Sequence, residues 1–382
     1  MMIPFNRDYH TGRESEYVID AASNLSQRVF AEKCRAWIGN KFSDSKIIMT
    51  SSATAAIELA LMSLELKFGD EVIIPSFAYP SIANAILLAR GKPVFSEIDP
   101  KTLSLSPEDL EKRITSRTKA VLVVHYGGTS HHLNEIQSLC SSKKICLIED
   151  ASHAFLARHD RKPLGSVGDF GIFSFHHTKN ISAGNGGALL INRPENTILY
   201  KRCRMISENG TNRLDFLDGR GDNYDWQCHG LNSSPSELAM AYLYAQLEKS
   251  DSITASRNAP YVAYHAFFDS LPDPQPVIRT FSPLPADGAS NYHTFYLCTR
   301  TPSQRQELRH RLLKMGVMAV SHFEPLHSAP MGFSLGYSPS DLPETLLAAK
   351  TVLRLPLFNY MAEEEYRSVI AALSVSLEEM AS

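Results

Sequence analysis

The chain has 382 residues, too many for one ordinary hydrophobic core, so about two domains of ~100–200 residues are expected. Its 38 Lys and Arg against 41 Asp and Glu give a formal charge of −3, and the two signs are interspersed without a basic stripe, which argues against nucleic acid as the main partner. No apolar run approaches the roughly 18 residues of a membrane span, and the opening MMIPFNRDYHTGRE has no signal-peptide core, so no membrane role and a cytoplasmic location are expected.

Six cysteines, Cys34, Cys140, Cys146, Cys203, Cys228 and Cys298, are scattered without a C-x-x-C pair. They read as reduced thiols rather than a disulfide or zinc framework. The first 25 residues are polar and irregular with one helix after Gly12, and residues 29–42 have the spacing of an amphipathic helix. Both are expected to be peripheral. A strand over residues 46–49 then leads through Thr50-Ser51-Ser52-Ala53-Thr54 into a helix over 55–66. Small hydroxylated residues at a helix start serve as N-caps or, with the free N–H groups there, as a phosphate site, and the residues alone leave both open.

A strand over 71–74 runs through Pro75-Ser76-Phe77-Ala78-Tyr79-Pro80-Ser81 into a helix over 82–90. Strand 92–95, helix 107–114, strand 120–124, helix 133–143 and strand 145–148 follow. Repeated strand-helix units imply an α/β fold with a mainly parallel sheet covered on both faces. The turn His125-Tyr126-Gly127-Gly128 falls at a strand end and is expected to line the pocket. His131-His132 is not read as a metal site, because adjacent side chains rarely converge on one ion and no further ligands are suitably spaced.

The 145–148 strand delivers Glu149 and Asp150 at its C-terminal end, where open α/β sheets bind ligands. A second strand, 171–174, ends in Phe175-His176-His177-Thr178-Lys179. An acid and a lysine at two strand ends match what pyridoxal phosphate requires, a lysine to carry the aldehyde and an Asp to keep the pyridine nitrogen protonated. Alone, the pair also fits two solvated surface charges.

A glycine-rich turn, a strand over 188–191 and a helix over 197–207 come next. The long polar loop Glu208-Asn209-Gly210-Thr211-Asn212-Arg213, with Tyr224 and Trp226 beyond it, is of a size often used for function. His229 to Ser236 precede a helix over 237–247. The proline-rich stretch 272–285 suggests a boundary after that helix, dividing the chain into a large domain, 1–250, and a small α+β domain, 251–382. The latter should contain strand 291–298, helix 304–315, strand 317–320 and helices over 343–352 and 363–373.

The stretch from Glu149 to Gly187 resembles the PLP-dependent nucleotide-sugar aminotransferases of the DegT/DnrJ family. The matching residues are Glu149-Asp150, His153, Gly165 with Gly168, Ser174-Phe175-His176, Lys179-Asn180 and Gly184-Asn185-Gly186-Gly187. The resemblance implies a fold-type-I PLP-dependent transferase with pyridoxal 5'-phosphate as cofactor. Lys179 and Asp150 would be catalytic, and His153, in place of the commoner Gln, would bond the cofactor's phenolic oxygen. Ser52, Thr54 and Ser174 would hold the phosphate, with Ala53 where the family has Gly. Tyr79 would stack on the cofactor ring, beside Ala78 in place of Thr. Asn232 matches an asparagine that reaches the phosphate of the partner subunit, which implies a homodimer with shared sites. Ser233 and Ser234 replace the family's Tyr and Arg, and His322-Phe323-Glu324-Pro325-Leu326-His327 matches a rim motif.

The implied reaction moves an amino group from L-glutamate to a nucleotide-linked keto-deoxysugar of the dTDP-4-keto-6-deoxyglucose type. Phe175-His176 matches relatives that act at C4. Transamination of another small keto substrate, or a non-catalytic PLP-binding regulator of the same fold, would share the cofactor site. A dehydratase of the family would carry His where Lys179 stands, and no G-x-G-x-x-G marks a dinucleotide site.

Overall fold

The computed structural model describes residues 2–42, 44–193, 197–284 and 290–381, so the end of the proline-rich stretch at Pro285 lies outside the described residues. The chain begins with helices α1 (Glu14–Ser23) and α2 (Val29–Lys41). It then alternates through β1 (Lys46–Thr50), α3 (Ala53–Ser63), β2 (Glu71–Pro75), α4 (Pro80–Leu88), β3 (Lys92–Ser96), α5 (Pro107–Arg113), β4 (Thr118–Val124), α6 (Leu133–Lys143) and β5 (Cys146–Asp150). A short hairpin, β6 (Arg158–His159) and β7 (Lys162–Pro163), precedes β8 (Phe170–Ser174) and β9 (Gly187–Ile191).

The seven-stranded sheet has the order β1-β9-β8-β5-β4-β2-β3. Within it β9 alone is antiparallel to both neighbours, β1 and β8, while the pairs from β8 to β3 are parallel. Alternation along the strands explains their nearly unbroken apolar sequences. Ile73, Val121, Leu147 and Phe173 face one core, whereas Val72, Ile74, Leu122, Ile148 and Ile172 face the other. A sheet covered on both sides buries both sets of side chains.

After β9 come α7 (Thr197–Ser207), α8 (Arg213–Leu217) and α9 (Glu237–Glu248). The first two helices are not peripheral. Tyr17, Ala21, Phe30, Cys34 and Ile38 are buried in the same cluster as Met240, Leu243 and Leu247 of α9. An apolar α9 needs cover on more than its sheet side, and α1 and α2 supply it. Glu237 of α9 also accepts the N–H groups of Phe30 and Ala31, satisfying donors at the start of α2.

Two helices that the sequence did not reveal, α10 (Ser250–Ser256) and α11 (Asn258–Asp269), lead into β10 (Ile278–Phe281). The remaining elements are β11 (Phe295–Thr299), α12 (Pro302–Lys314), α13 (Pro330–Ser334), α14 (Pro343–Thr351), β12 (Val352–Leu355) and α15 (Glu363–Ala381). β10, β11 and β12 form an antiparallel sheet whose core joins Tyr264, Phe295, Leu312, Leu353 and Leu373. The expected strand over 317–320 is absent, because Val317 and Val320 make only single bridges, to Ile3 and Arg354. The unanticipated β10 and β12 are four residues each and flanked by proline or a helix end, which hides their period. Among the described residues no helix is long and apolar enough to cross a membrane.

Candidate active site

The C-terminal ends of β5 and β8 open onto a cavity of about 320 Å³. Ser52, Ala53, Thr54, Tyr79, Asp150, His153, Ser174 and Lys179 all line it. Asn232 does not, and it is exposed on its own chain. The pairing of Asp150 with Ile172 across adjacent parallel strands places the acid next to the strand whose continuation carries Lys179.

One end of the cavity is the start of α3. Ser52 is extended, with φ −165°, and its Oγ accepts the Ala55 N–H at 3.1 Å, so it is an N-cap that also lines the cavity. The helix therefore starts at Ala53, two residues before the sequence expectation. Thr50 Oγ1 donates to the Ser52 carbonyl at 2.8 Å, and the Ser51 N–H donates to the Ser233 carbonyl at 2.7 Å. A pinned helix start, with its first N–H groups and the hydroxyls of Thr54 and Ser174 nearby, suits a phosphate.

Lys179 sits in the loop between β8 and β9, which is closed by Phe175 N–H to Gly186 O at 2.8 Å and His177 N–H to Gly184 O at 2.9 Å. Burial pushes its amine down to about 8, the Asp150 charge opposes this, and Arg354 adds to it. An amine so poised exchanges its proton near neutral pH. Asp150 is buried, and its Oδ1 accepts the Ser152 N–H at 3.0 Å.

His153 forms the inner wall. Its ring centre lies 4.3 Å from that of His293, tilted by 32°, and the ring is nearly parallel to that of His322 at 5.9 Å. Burial, and next the Lys179 charge, keep it far below the ordinary imidazole range and hence neutral. His153 Nδ1 is buried without a hydrogen-bond partner. A buried polar atom without a partner at a cavity wall is free to bond a ligand there. Together with the phosphate-like cradle, Asp150 and Lys179, it fits pyridoxal phosphate.

The turn at His125 does not line the cavity. Its Nε2 lies 2.8 Å from Glu149, and both side chains are buried. Glu149 precedes Asp150 on β5 and so faces the other way. It accepts N–H groups from Gly165, Val167 and Gly168 at 2.9, 2.6 and 2.6 Å, fastening the glycine-rich connection. Of the rim motif, His322 and Phe323 line the cavity. His327 instead places Nδ1 2.7 Å from Ser76 Oγ in the interior. His132 bonds Asp99 at 2.9 Å, and among the described residues no group of three or more His, Cys, Asp or Glu is arranged for a metal.

Several functional neighbours lay beyond sequence reasoning. Asn180 Oδ1 lies 2.8 Å from His293 Nδ1, and Asn180 Nδ2 donates to the Asn291 carbonyl at 2.7 Å. Asn291 Nδ2 in turn donates to the His153 carbonyl at 2.8 Å. This net ties the residue after Lys179 to the wall residue His153 through a segment more than a hundred positions away. Only Asn180 carried a sequence signal, as part of the Lys-Asn pair.

Residues 22–374 match the profile of the DegT/DnrJ/EryC1/StrS aminotransferase family. A pleiotropic regulatory protein of Geobacillus stearothermophilus is 32% identical over 321 residues, 84% of this chain and 82% of its own. The putative sugar aminotransferase Spr1654 of Streptococcus pneumoniae, in its apo form, superimposes with a TM-score of 0.91 over 100% of this chain and 99% of its own, at 22% identity. The aminotransferase TlmJ of Streptoalloteichus hindustanus gives 0.87 at 26% identity, with 100% of each chain covered. The architecture is that of a fold-type-I PLP-dependent transferase.

Proposed function

Because this chain belongs to the DegT/DnrJ/EryC1/StrS aminotransferase family, we propose that it moves the amino group of L-glutamate to C4 of a nucleotide-linked keto-deoxysugar with pyridoxal 5'-phosphate as cofactor. The observation that carries this reading is the meeting of Lys179, Asp150 and the α3 start around one cavity, with the Lys179 amine lowered to about 8. When bound, the cofactor supplies an aldehyde that accepts the amino group and a ring that withdraws electrons from the substrate's carbon.

The chain's own residues do the rest. Lys179 holds the cofactor between turnovers and, once displaced by the donor amine, moves a proton as general base and then acid. Asp150 keeps a proton on the ring nitrogen. Neutral His153 bonds the phenolic oxygen through its unpartnered nitrogen, and Tyr79 at the lip covers the ring. Ser52, Thr54, Ser174 and the N–H groups at the start of α3 hold the phosphate. Asn232, exposed and outside its own cavity, serves the partner's phosphate in a homodimer, and the enzyme works in the cytoplasm. Large and small domains meet after α9, as the proline-rich stretch suggests.

Within the family we place the chain with the transaminase that makes dTDP-4-amino-4,6-dideoxygalactose for surface polysaccharide. Support comes from Ile3-Pro4-Phe5-Asn6, Gly210-Thr211-Asn212-Arg213 and Leu353-Arg354-Leu355-Pro356-Leu357-Phe358. Single turnover tests the reading: holoprotein treated with L-glutamate should release 2-oxoglutarate and then aminate dTDP-4-keto-6-deoxyglucose at C4. Efficient amination of a 3-keto isomer with none of the 4-keto sugar would reverse the regiochemistry. A second reading, a regulator that binds the cofactor without turnover, is favoured by the name of the Geobacillus relative. It predicts no 2-oxoglutarate at all.

A further inference from the structure

We propose that His293 is a positioning residue for His153: tied to the lysine loop through Asn180, it fixes the angle of the wall imidazole that the reading above places against the cofactor's phenolic oxygen. The inference rests on that reading and adds a residue to it. The His153 ring needs such a support. The outer torsion of a histidine is intrinsically broad, and His153 Nδ1 is buried without a partner. Among the described residues the protein holds this ring by ring contacts rather than by hydrogen bonds. His293 is the nearest ring, at 4.3 Å between centres, against 5.7 Å for Tyr126 and 5.9 Å for His322. A rotation of His293 would therefore turn His153.

His293 itself is not free to turn. Asn180 Nδ2 donates to the Asn291 carbonyl at 2.7 Å, which orients the amide and leaves Oδ1 facing His293. That oxygen can only accept, so His293 Nδ1, 2.8 Å away, carries the proton. Burial, and next the Lys179 charge, hold His293 well below the ordinary imidazole range and hence neutral. Asn291 Nδ2 donates in turn to the His153 carbonyl at 2.8 Å. One net thus holds the backbone of His153 through Asn291 and its ring through His293.

The chain around His293 is braced for this presentation. Tyr292 has φ 51°, a left-handed conformation that is unfavourable for a bulky residue and persists only where its surroundings enforce it. Ser290 Oγ accepts the Tyr292 N–H at 2.9 Å, and the buried guanidinium of Arg257 donates to the carbonyls of Tyr292 and His293 at 2.9 and 2.7 Å. Arg257 also donates to Asn359 Oδ1 at 2.9 Å, and Asn359 Nδ2 donates to the Asn180 carbonyl at 2.8 Å. Asn180, His293, Arg257 and Asn359 therefore close a circuit of hydrogen bonds. Through it the residue beside Lys179 and the residue against His153 keep a fixed relation.

The test is a double-mutant cycle that reads the affinity for pyridoxal 5'-phosphate and the absorbance maximum of the bound cofactor, which reports the bonding of its phenolic oxygen. His293→Asn keeps a donor for Asn180 and removes the ring. In the otherwise wild-type chain it should weaken cofactor binding by roughly threefold to thirtyfold and shift the maximum. Made in His153→Gln, it should change affinity by less than about twofold and leave the maximum at the His153→Gln value. Thermal unfolding reads any structural cost, which should be equal in both backgrounds. His293→Phe, which keeps a ring but frees it from Asn180, should weaken binding at least about threefold with the same dependence on His153, and decides the matter if the Asn variant does not fold. Affinity within about twofold of wild type, an equal loss in both backgrounds, or a loss without a spectral shift overturns the assignment. Wild-type protein that binds the cofactor yet releases no 2-oxoglutarate from L-glutamate fails the aminotransferase reading alone, and the cycle still decides His293. Wild-type protein that binds no pyridoxal phosphate sinks both.

Discussion

A β-carbon added to Gly187 would lie 2.4 Å from the carbonyl carbon of Ser52. Gly187 pairs with Thr50 on one side and Ser174 on the other, so the contact joins three strand ends at the proposed phosphate site. The neighbouring atoms are backbone and cannot swing aside. Gly187→Ala should displace the start of α3, destabilise the fold by about 1–3 kcal/mol, and weaken the holoprotein's hold on pyridoxal phosphate. Thermal unfolding and cofactor titration check this, and unchanged cofactor affinity in a folded variant would argue against a phosphate at α3.

Lys179 should be the lysine labelled when holoprotein is reduced with borohydride, and peptide mapping identifies it. Since burial lowers its amine to about 8, formation of the covalent link in cofactor-free protein should accelerate with pH and level off near that value. An ordinary lysine would keep gaining reactivity to about 10.4. Lys179→Ala should abolish turnover and retain non-covalent cofactor. Label on a different lysine would remove the central assignment.

Glu149 should be a stability residue rather than a catalytic one. Burial opposes its ionisation, but the hydrogen bond and charge of His125, with the N–H groups of Gly168 and Gly165, outweigh that and bring its pKa below the ordinary value. The unfolded chain therefore binds the proton more readily. The stabilisation is present above the unfolded carboxyl's pKa and is lost as pH falls through the lower folded value. Glu149→Ala should cost roughly 3–5 kcal/mol in urea unfolding at neutral pH, because His125 and three N–H groups lose their acceptor. A loss under about 1 kcal/mol would contradict the geometry.

Asn232 provides a test of the shared site. Mixed dimers of Lys179→Ala with a nearly inactive Asn232 variant should regain activity, since one site then carries both lesions and the other carries none. If Asn232 serves its own chain, each site carries one lesion and heterodimers verified by tagged co-purification stay inactive.

The strand-helix alternation from β1 to β5 was legible because strands buried on both faces are short continuous apolar runs, and helices between them keep a 3.6-residue period. Asp150 and Lys179 were legible as strand-end residues, and the motif around them carried the cofactor expectation. The role of His125 was misread because a strand-end turn signals proximity to a site without indicating which way its side chain faces. Helices α1 and α2 were misjudged because an amphipathic pattern reveals an apolar face but not the partner that covers it. His322 reaches the cavity from the segment between α12 and α13, and His293, just before β11, backs His153, so their approach depends on packing between parts of the chain far apart in sequence. Local spacing thus determined the elements and the Asp-Lys pair, whereas the cavity's inner wall was decided only when long-range packing set His293 and His322 beside His153.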